Sequence, residues 1–196
     1  MARMKLGRKL LEMLFIVVLG VVSVALLLAA QDYAAPAVKR FQLIRLRTNI
    51  LAAADIPAAP ADINTVFEAR VRELRGNDTT FFRADSLIVY EFRGRGVWGP
   101  IEGIITLDSG LTRIKGVRVL VQEETPGLGD RIKNPDYLKT YEGKTALEPL
   151  GLAIRHEAVD PNEVDAISGA TLSSEAMVTM VNDAIAQLRR AARAAR

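Results

Sequence analysis

Three hydroxyl side chains, those of Thr171, Ser173 and Ser174, lie close together near the C-terminal end of the chain. Thr171 closes the heptapeptide Asp-Ala-Ile-Ser-Gly-Ala-Thr, which occupies residues 165–171. Gly169 lets this segment turn where a Cβ would clash. A helix that begins here offers free backbone N–H groups and the positive end of its dipole to an anion. Hydroxyl residues before a helix are also ordinary N-caps.

A helix is predicted directly after the heptapeptide. Apolar side chains recur three or four residues apart from Ala176 to Leu188, and this spacing gives an α-helix one buried stripe. The predicted helix runs from Ser173 to about Ala192. The heptapeptide is therefore a loop that leads into the last long helix.

The heptapeptide resembles the flavinylation motif Asp-x-x-Ser/Thr-Gly-Ala-Thr of the FMN-binding domains in Rnf and sodium-pumping NADH:quinone oxidoreductase complexes. All the positions that this motif fixes match, namely Asp165, Ser168, Gly169, Ala170 and Thr171. In that family the final Thr carries FMN through a phosphoester bond, which a separate flavin transferase makes. The resemblance implies a covalent FMN on Thr171.

A second segment, Glu-Thr-Pro-Gly-Leu-Gly at residues 124–129, resembles the second signature of the same family position by position. Its simplest interpretation is a type II turn with Pro126 and Gly127 at the central positions. The resemblance implies that the cofactor lies near Glu124, Thr125, Gly127, Leu128 and Gly129. Glycines let backbone N–H groups approach a planar ring, and Leu128 offers an apolar contact. The sequence leaves open whether Glu124 orients the loop or contacts the cofactor.

The segment Gly94–Gly99 satisfies Gly-x-Gly-x-x-Gly, but a dinucleotide site also needs a following helix and an acidic residue about 20 positions later. Pro100 and an isoleucine-rich strand pattern follow instead, and no acidic residue lies near position 119. A glycine-rich hairpin connection is therefore predicted. The segment also resembles the Gly-x-Gly-Leu-Trp-Gly stretch of the flavin family, with Val97 in place of Leu. Trp98, the only tryptophan, either packs against the isoalloxazine ring or fills the core.

The composition excludes several chemistries. The chain has no cysteine, so disulfides, thiolate metal sites and a cysteine nucleophile are excluded. A single histidine, His156, argues against a zinc or haem site built from several histidines, and no metal site is predicted. The net charge of +3 comes from the first 30 residues, because the other basic and acidic residues are equal in number. The excess of basic residues is therefore not a sign of a nucleic-acid partner.

The N-terminal part of the chain is predicted to cross a membrane. Residues 10–30 form a nearly continuous apolar run, long enough for a hydrocarbon core of about 30 Å. Basic residues precede it, so residues 1–9 are expected in the cytoplasm and everything after Ala30 outside. A cleaved signal peptide is the main alternative, although the apolar run is long for one. Residues 31–60 are predicted to be a stalk or linker, and residues 61–196 the FMN-binding domain.

The remaining periodicities predict an α+β fold with a largely antiparallel sheet flanked by helices. Helices are expected at residues 62–74 and from Asn134 to about Tyr141, where Asn134 precedes a proline suited to the first helical position. Strands are expected at residues 86–92, 101–107, 111–122 and 150–154. The three glycine-containing motifs would lie in loops of this fold.

The three motifs together identify the chain as similar to the covalent FMN-binding family that includes the G subunit of the Rnf complex. The C subunit of the sodium-pumping NADH:quinone oxidoreductase shares the motifs but is usually longer. The resemblance implies an electron-transfer subunit without catalytic residues of its own, in the bacterial inner (cytoplasmic) membrane with its flavin domain outside the cytoplasm. Its partners would be the other subunits, a flavin transferase and the lipid bilayer, and the complex would couple ferredoxin–NAD electron transfer to sodium or proton movement.

Two other functions compete with this interpretation. A serine hydrolase would use Ser168 with His156 and an acid, but the nucleophile elbow needs glycine at positions 166 and 170, where the chain has alanine. A structural membrane anchor without a cofactor is the second alternative.

Overall fold

The computed structural model describes residues 2–154 and 158–195. The chain divides into two compact units, residues 1–45 and residues 46–196. The described elements are α1 (Ala2–Ala53), α2 (Ile63–Arg70), β1 (Val71–Gly76), β2 (Thr79–Ala84), β3 (Leu87–Arg95), β4 (Pro100–Asp108), β5 (Ile114–Val121), a 3-10 helix (Gly129–Lys133), α3 (Pro135–Lys139), β6 (Gly151–Ala153), β7 (Glu163–Asp165) and α4 (Thr171–Ala194).

The first unit is formed by the part of α1 up to Arg45. Its apolar side chains between Leu11 and Leu28 are exposed, and among the described residues α1 is the one helix long and apolar enough to cross a membrane. It continues without a break through Pro36, although an interior proline removes a hydrogen bond and disfavours a helix. The flanking alanines favour a helix. The predicted stalk is therefore helical as far as Ala53.

The second unit is built on a five-stranded antiparallel sheet in the order β1-β2-β3-β4-β5. Asn77 and Asp78 join β1 to β2 with positive φ at both positions, as a type I′ hairpin turn requires. Short turns between consecutive strands make this sheet antiparallel, as the sequence predicts. A separate pair, β6 and β7, is parallel.

Alternate side chains of the sheet pack into two cores. On one face, Ile88, Tyr90 and Ile105 pack in a cluster with the apolar side of α4. On the other, Val89 and Ile104 pack with α2 and with the end of α1. Helices thus cover both faces of the sheet, which confirms the predicted α+β class.

Several boundaries differ from those expected, and strands β1, β2 and β7 have no counterpart among the strands expected from the sequence. The second unit begins at Leu46, earlier than residue 61, because Ile50 and Leu51 at the end of α1 are buried in its core. Helix α2 ends at Arg70, earlier than position 74, because Val71 and the next residues pair with β2. Helix α3 begins as predicted, since the Asn134 side chain accepts a hydrogen bond from the Asp136 N–H.

Candidate functional site

The heptapeptide forms a loop between β7 and α4. Asp165 is the last residue of β7, and its exposed carboxylate accepts a hydrogen bond of 2.6 Å from the Ala158 N–H. Gly169 has φ +79°, a left-handed conformation that favours glycine. Ala170 is the N-cap of α4 and supplies no side-chain cap. The prediction of a loop entering a helix is confirmed, but neither Thr171 nor the following serines is the N-cap.

The start of α4 therefore has free hydrogen-bond donors. The backbone N–H groups of Thr171, Leu172 and Ser173 have no acceptor among the residues that the structure describes. The first turn of a helix presents such groups together with the positive end of the dipole, an arrangement that stabilises a bound anion.

The three hydroxyls at this helix start differ in their hydrogen bonding. Ser174 is fully buried, and its Oγ accepts from the Ile167 N–H at 3.0 Å and donates to the Ala170 carbonyl at 3.1 Å. Ser173 is 5% exposed and donates to Glu124 Oε2 at 2.6 Å. The half-buried Thr171 has no side-chain hydrogen bond within the described ranges. Thr171 is thus the one hydroxyl of the three that remains available.

The second motif forms the predicted type II turn. Gly127 has φ +76°, and the Leu128 N–H donates to the Thr125 carbonyl at 3.2 Å. The turn lies beside the heptapeptide, because a Cβ built on Gly169 would be 3.6 Å from Leu128 Cδ2. Just beyond the turn, Arg131 donates to the Ser168 carbonyl at 3.2 Å. The fold thus brings two of the sequence motifs together.

The glycine-rich segment is the connection between β3 and β4, as predicted. Gly96 donates to the Gly99 carbonyl at 2.8 Å, and the following element is a strand, so this is no dinucleotide-binding turn. Trp98 is 73% exposed. The alternative in which Trp98 fills the core is therefore wrong, because the tip of the hairpin projects away from the sheet core. Its neighbour Val97 is 41% exposed.

Glu124, in the second motif, joins the glycine-rich segment to the first turn of α4. Its carboxylate is 4% exposed; Oε1 accepts from the Val97 and Trp98 N–H groups at 2.8 and 3.2 Å, and Oε2 accepts from Ser173. A Cβ on Gly129 would lie 2.8 Å from Oε2, so the absence of a side chain there leaves room for the carboxylate. These hydrogen bonds hold the Glu124 side chain between the Val97–Trp98 turn and the first turn of α4, and a contact with the cofactor stays a prediction.

Three large apolar side chains in or next to the motifs are exposed. Trp98, Leu128 and Leu172 are 73%, 49% and 65% exposed. Between the end of β3 and the first turns of α4 lies a groove of about 540 Å³ whose walls include Val97, Leu172 and Thr179. This volume is within the range of small-molecule sites. The first turns of α4, beginning with Leu172, therefore line an open groove.

Two buried tyrosines lie in the same core cluster as Ile167 and Ala170 of the heptapeptide. The Tyr137 and Tyr141 hydroxyls are 2.9 Å apart. Burial raises the pKa of Tyr137 above its ordinary value, and burial raises that of Tyr141 still further. Both phenols therefore stay protonated at neutral pH.

Sequence patterns did not predict four residues as part of this site. They are Val97, Arg131, Leu172 and, as the hydrogen-bond partner of Glu124, Ser173. Leu172 and Ser173 directly follow the heptapeptide, and this position in the sequence was the signal that could have identified them. Arg131 had none, because its contact depends on the tertiary fold. His156 lies outside the described residues, and no cluster of metal-ligating side chains occurs among the residues that are described.

Comparison with known families gives a match for the part of the chain that contains these motifs. Residues 96–186 match the model described as an FMN-binding domain. The matched region includes the tryptophan turn from Gly96, the Glu124 segment and the heptapeptide.

Curated relatives carry related names. The chain is 32% identical over 126 residues to the G subunit of the ion-translocating oxidoreductase complex of Cereibacter sphaeroides, covering 62% of this chain and 56% of the relative. It is 32% identical over 109 residues to the C subunit of the Na(+)-translocating NADH-quinone reductase of Pseudomonas aeruginosa, covering 51% of this chain and 41% of the relative. The chain thus spans about half, or less, of the length of these relatives.

Solved structures share the fold. The crystal structure of Shewanella oneidensis NqrC matches with a TM-score of 0.61 at 22% identity, over 74% of this chain and 96% of that one. The C subunit of the Na(+)-translocating NADH-quinone reductase from Parabacteroides distasonis matches with a TM-score of 0.65 at 20% identity, over 75% and 90%. At these identities the likeness establishes a common fold.

Proposed function

We propose that this chain, whose residues 96–186 belong to the FMN-binding domain family, is a membrane-anchored electron-transfer subunit with FMN esterified to Thr171. Bound FMN would accept and pass single electrons. The chain itself would supply the attachment point, a fixed orientation and the surrounding charge. It would contribute no catalytic residue of its own.

The availability of the Thr171 hydroxyl is the observation that carries this proposal. Ser173 and Ser174 are buried and their hydroxyls are engaged, whereas Thr171 is half-buried and has no hydrogen-bond partner among the described residues. The free N–H groups of the first helical turn would meet the charge of the phosphate. Attachment at Thr171 therefore requires no rearrangement of the buried serines.

The surrounding motifs fit a planar aromatic ring. Trp98 and Leu128 present exposed apolar surface, and covering exposed aromatic and aliphatic side chains with a ring is favourable in free energy. Gly127 holds the turn that carries Leu128. We infer that these side chains contact the isoalloxazine ring, while Ser168, Gly169 and Ala170 shape the loop at the phosphate.

We infer that the chain belongs to an Rnf-type complex as its G subunit. The G-subunit relative aligns over more of both chains than the C-subunit relative does, which favours this assignment over the alternative. The partners would be the other subunits, a flavin transferase that esterifies Thr171, and the lipid around α1. The complex would couple ferredoxin–NAD electron transfer to sodium or proton movement.

Production of the full chain with and without a flavin transferase tests the proposal. With the transferase, we expect a flavin absorption spectrum, an intact mass increased by one FMN, and in-gel fluorescence that survives denaturation. Without it, we expect no adduct. Colourless protein of unchanged mass under both conditions would favour a structural anchor, and ester hydrolysis by flavin-free protein would favour the hydrolase.

A further inference from the structure

Glu124 connects the turn that contains Val97 and Trp98 (the tryptophan turn) with helix α4, which begins at Thr171. One carboxylate oxygen accepts from the Val97 and Trp98 N–H groups, and the other accepts from the Ser173 hydroxyl. The side chain is 4% exposed, so water does not replace these contacts. Hydrogen bonds to a buried charged group are stronger than neutral ones.

The surroundings of the carboxylate leave it little freedom to move. A Cβ on Gly129 would lie 2.6 Å from Ser173 Oγ and 2.8 Å from Glu124 Oε2, and a Cβ on Gly96 would also collide with the carboxylate. Glycine at both positions thus allows the backbone to close around Glu124. The Glu124 N–H is in turn held by Gln122 Oε1 at 2.7 Å.

We propose that Glu124 is a positioning residue that fixes the Trp98 turn relative to the Thr171 helix start before any flavin is bound. Only the identification of FMN as the group that the two segments hold rests on the proposed function. Ser173 lies two residues beyond Thr171, in the same helical turn. The carboxylate therefore sets the distance between the attachment hydroxyl and the exposed tryptophan, and it also keeps the Ser173 hydroxyl from competing as an acceptor of the phosphate.

Each carboxylate oxygen of Glu124, with the hydrogen bonds that it accepts, forms one arm, and the loss of each arm has a different effect. Loss of the Oε1 arm would release the Val97 and Trp98 N–H groups and let the turn move. Loss of the Oε2 arm would release Ser173 and loosen the first turn of α4. A preorganised site loses less conformational entropy when its ligand is attached, so either loss should slow flavin attachment to Thr171.

The first experiment uses the full chain made without flavin transferase. In Glu124→Ala we expect hydrogen exchange at the Val97 and Trp98 amides to accelerate about 10-fold or more, with core strand β4 unchanged. Emission from Trp98, the only tryptophan, should lose anisotropy. Glu124→Gln retains an acceptor oxygen and should keep exchange within about threefold of the unaltered chain. Glu148→Ala is the control, because Glu148 is an exposed acid in a different loop.

The second experiment adds flavin transferase and measures the rate of FMN attachment. We expect Glu124→Ala and Ser173→Ala to be slower by about 10-fold, and Ser173→Ala to keep the slow exchange of the Val97 and Trp98 amides. If Glu124→Ala does not fold, the rate of FMN attachment to Ser173→Ala decides the question.

Unchanged amide exchange in Glu124→Ala, or attachment to Ser173→Ala at the rate of the unaltered chain, would overturn the positioning role. Failure of FMN to attach to the unaltered chain would instead overturn the proposed function. The exchange and anisotropy results do not depend on flavin, so the two failures are distinguishable.

Discussion

At the scale of single residues, the free hydroxyl of Thr171 distinguishes it from the serines that follow. The Ser173 hydroxyl binds Glu124, and the Ser174 hydroxyl binds the loop backbone. Both serines are buried. A transferase that needs an accessible nucleophile therefore has one suitable hydroxyl in this turn.

We expect Thr171→Ala to abolish flavin attachment, because only a hydroxyl can form the ester. Stability should change by no more than about 0.5 kcal/mol, since Thr171 is not the helix cap. In-gel fluorescence after denaturation and peptide mass mapping measure the adduct. Thr171→Ser should retain it, and so should Thr179→Ala, which removes an exposed threonine of the same helix. An adduct on Ser173 or Ser174 in Thr171→Ala would contradict the assignment.

Sequence patterns predicted individual residues of the site unevenly. Thr171 and the glycines were found because their positions define motifs. The contacts of Glu124 were not predicted, because they join segments that are 26 to 49 residues apart in the chain. The sequence did not decide whether Trp98 lies in the core or at the surface, since tryptophan occurs in both environments.

At the scale of elements, the turn at Gly127 tests the role of the second motif. Gly127 has φ +76°, and a Cβ there would meet open space. Substitution by alanine therefore acts through backbone strain alone, at a cost of about 1–2 kcal/mol. In Gly127→Ala we expect a folded protein whose flavin fluorescence or midpoint potential is altered, because the turn carries Leu128.

Gly116→Ala is the matched control for this turn. A Cβ at Gly116 also meets open space, but its φ is not positive. We expect the flavin spectrum and potential of Gly116→Ala to equal those of the unaltered protein. The same spectrum and potential in folded Gly127→Ala would remove this turn from the flavin site.

Ser174 tests how the loop and α4 are held together. In Ser174→Ala the buried Ile167 N–H loses its acceptor, and an unsatisfied buried donor costs about 1–3 kcal/mol. We expect Tm to fall by about 2–4 °C for each kcal/mol, measured by circular dichroism. Ser168→Ala, which changes an exposed side chain of the same loop, should leave Tm unchanged. Equal Tm values for both variants would show that this hydrogen bond does not stabilise the loop.

The elements themselves were largely predictable, and the exceptions have physical causes. Alternating and helical periods identified strands β3 to β5 and helix α4, whereas strands β1, β2 and β7 were not predicted. The parallel pairing of β6 with β7 was not predicted, since each strand has only three residues and such short segments carry no clear period. Helix α1 passes through Pro36 because its alanine-rich surroundings outweigh a local signal for a break.

At the scale of the whole molecule, charge and hydropathy are concentrated at the N-terminus. The first 30 residues carry the net charge of +3, and the apolar side chains of α1 from Leu11 to Leu28 are exposed. Exposed apolar surface on this scale is unfavourable in water and favourable in a bilayer. This distribution predicts a membrane anchor from sequence alone, but basic residues at positions 39, 40, 45 and 47 reduce the charge asymmetry that sets its direction.

We predict that residues 1–9 face the cytoplasm and that the flavin domain lies outside it, because short basic segments are retained on the cytoplasmic side. A reporter enzyme active only outside the cytoplasm, fused after Arg196, should give signal, and a reporter fluorescent only inside should give none. Replacing Arg3, Lys5, Arg8 and Lys9 by glutamate should reduce the external signal, because it reverses the asymmetry. An N-terminal tag that remains on the membrane-bound protein would exclude a cleaved signal peptide. Signal from the cytoplasmic reporter alone would contradict both this orientation and the proposed location of the flavin.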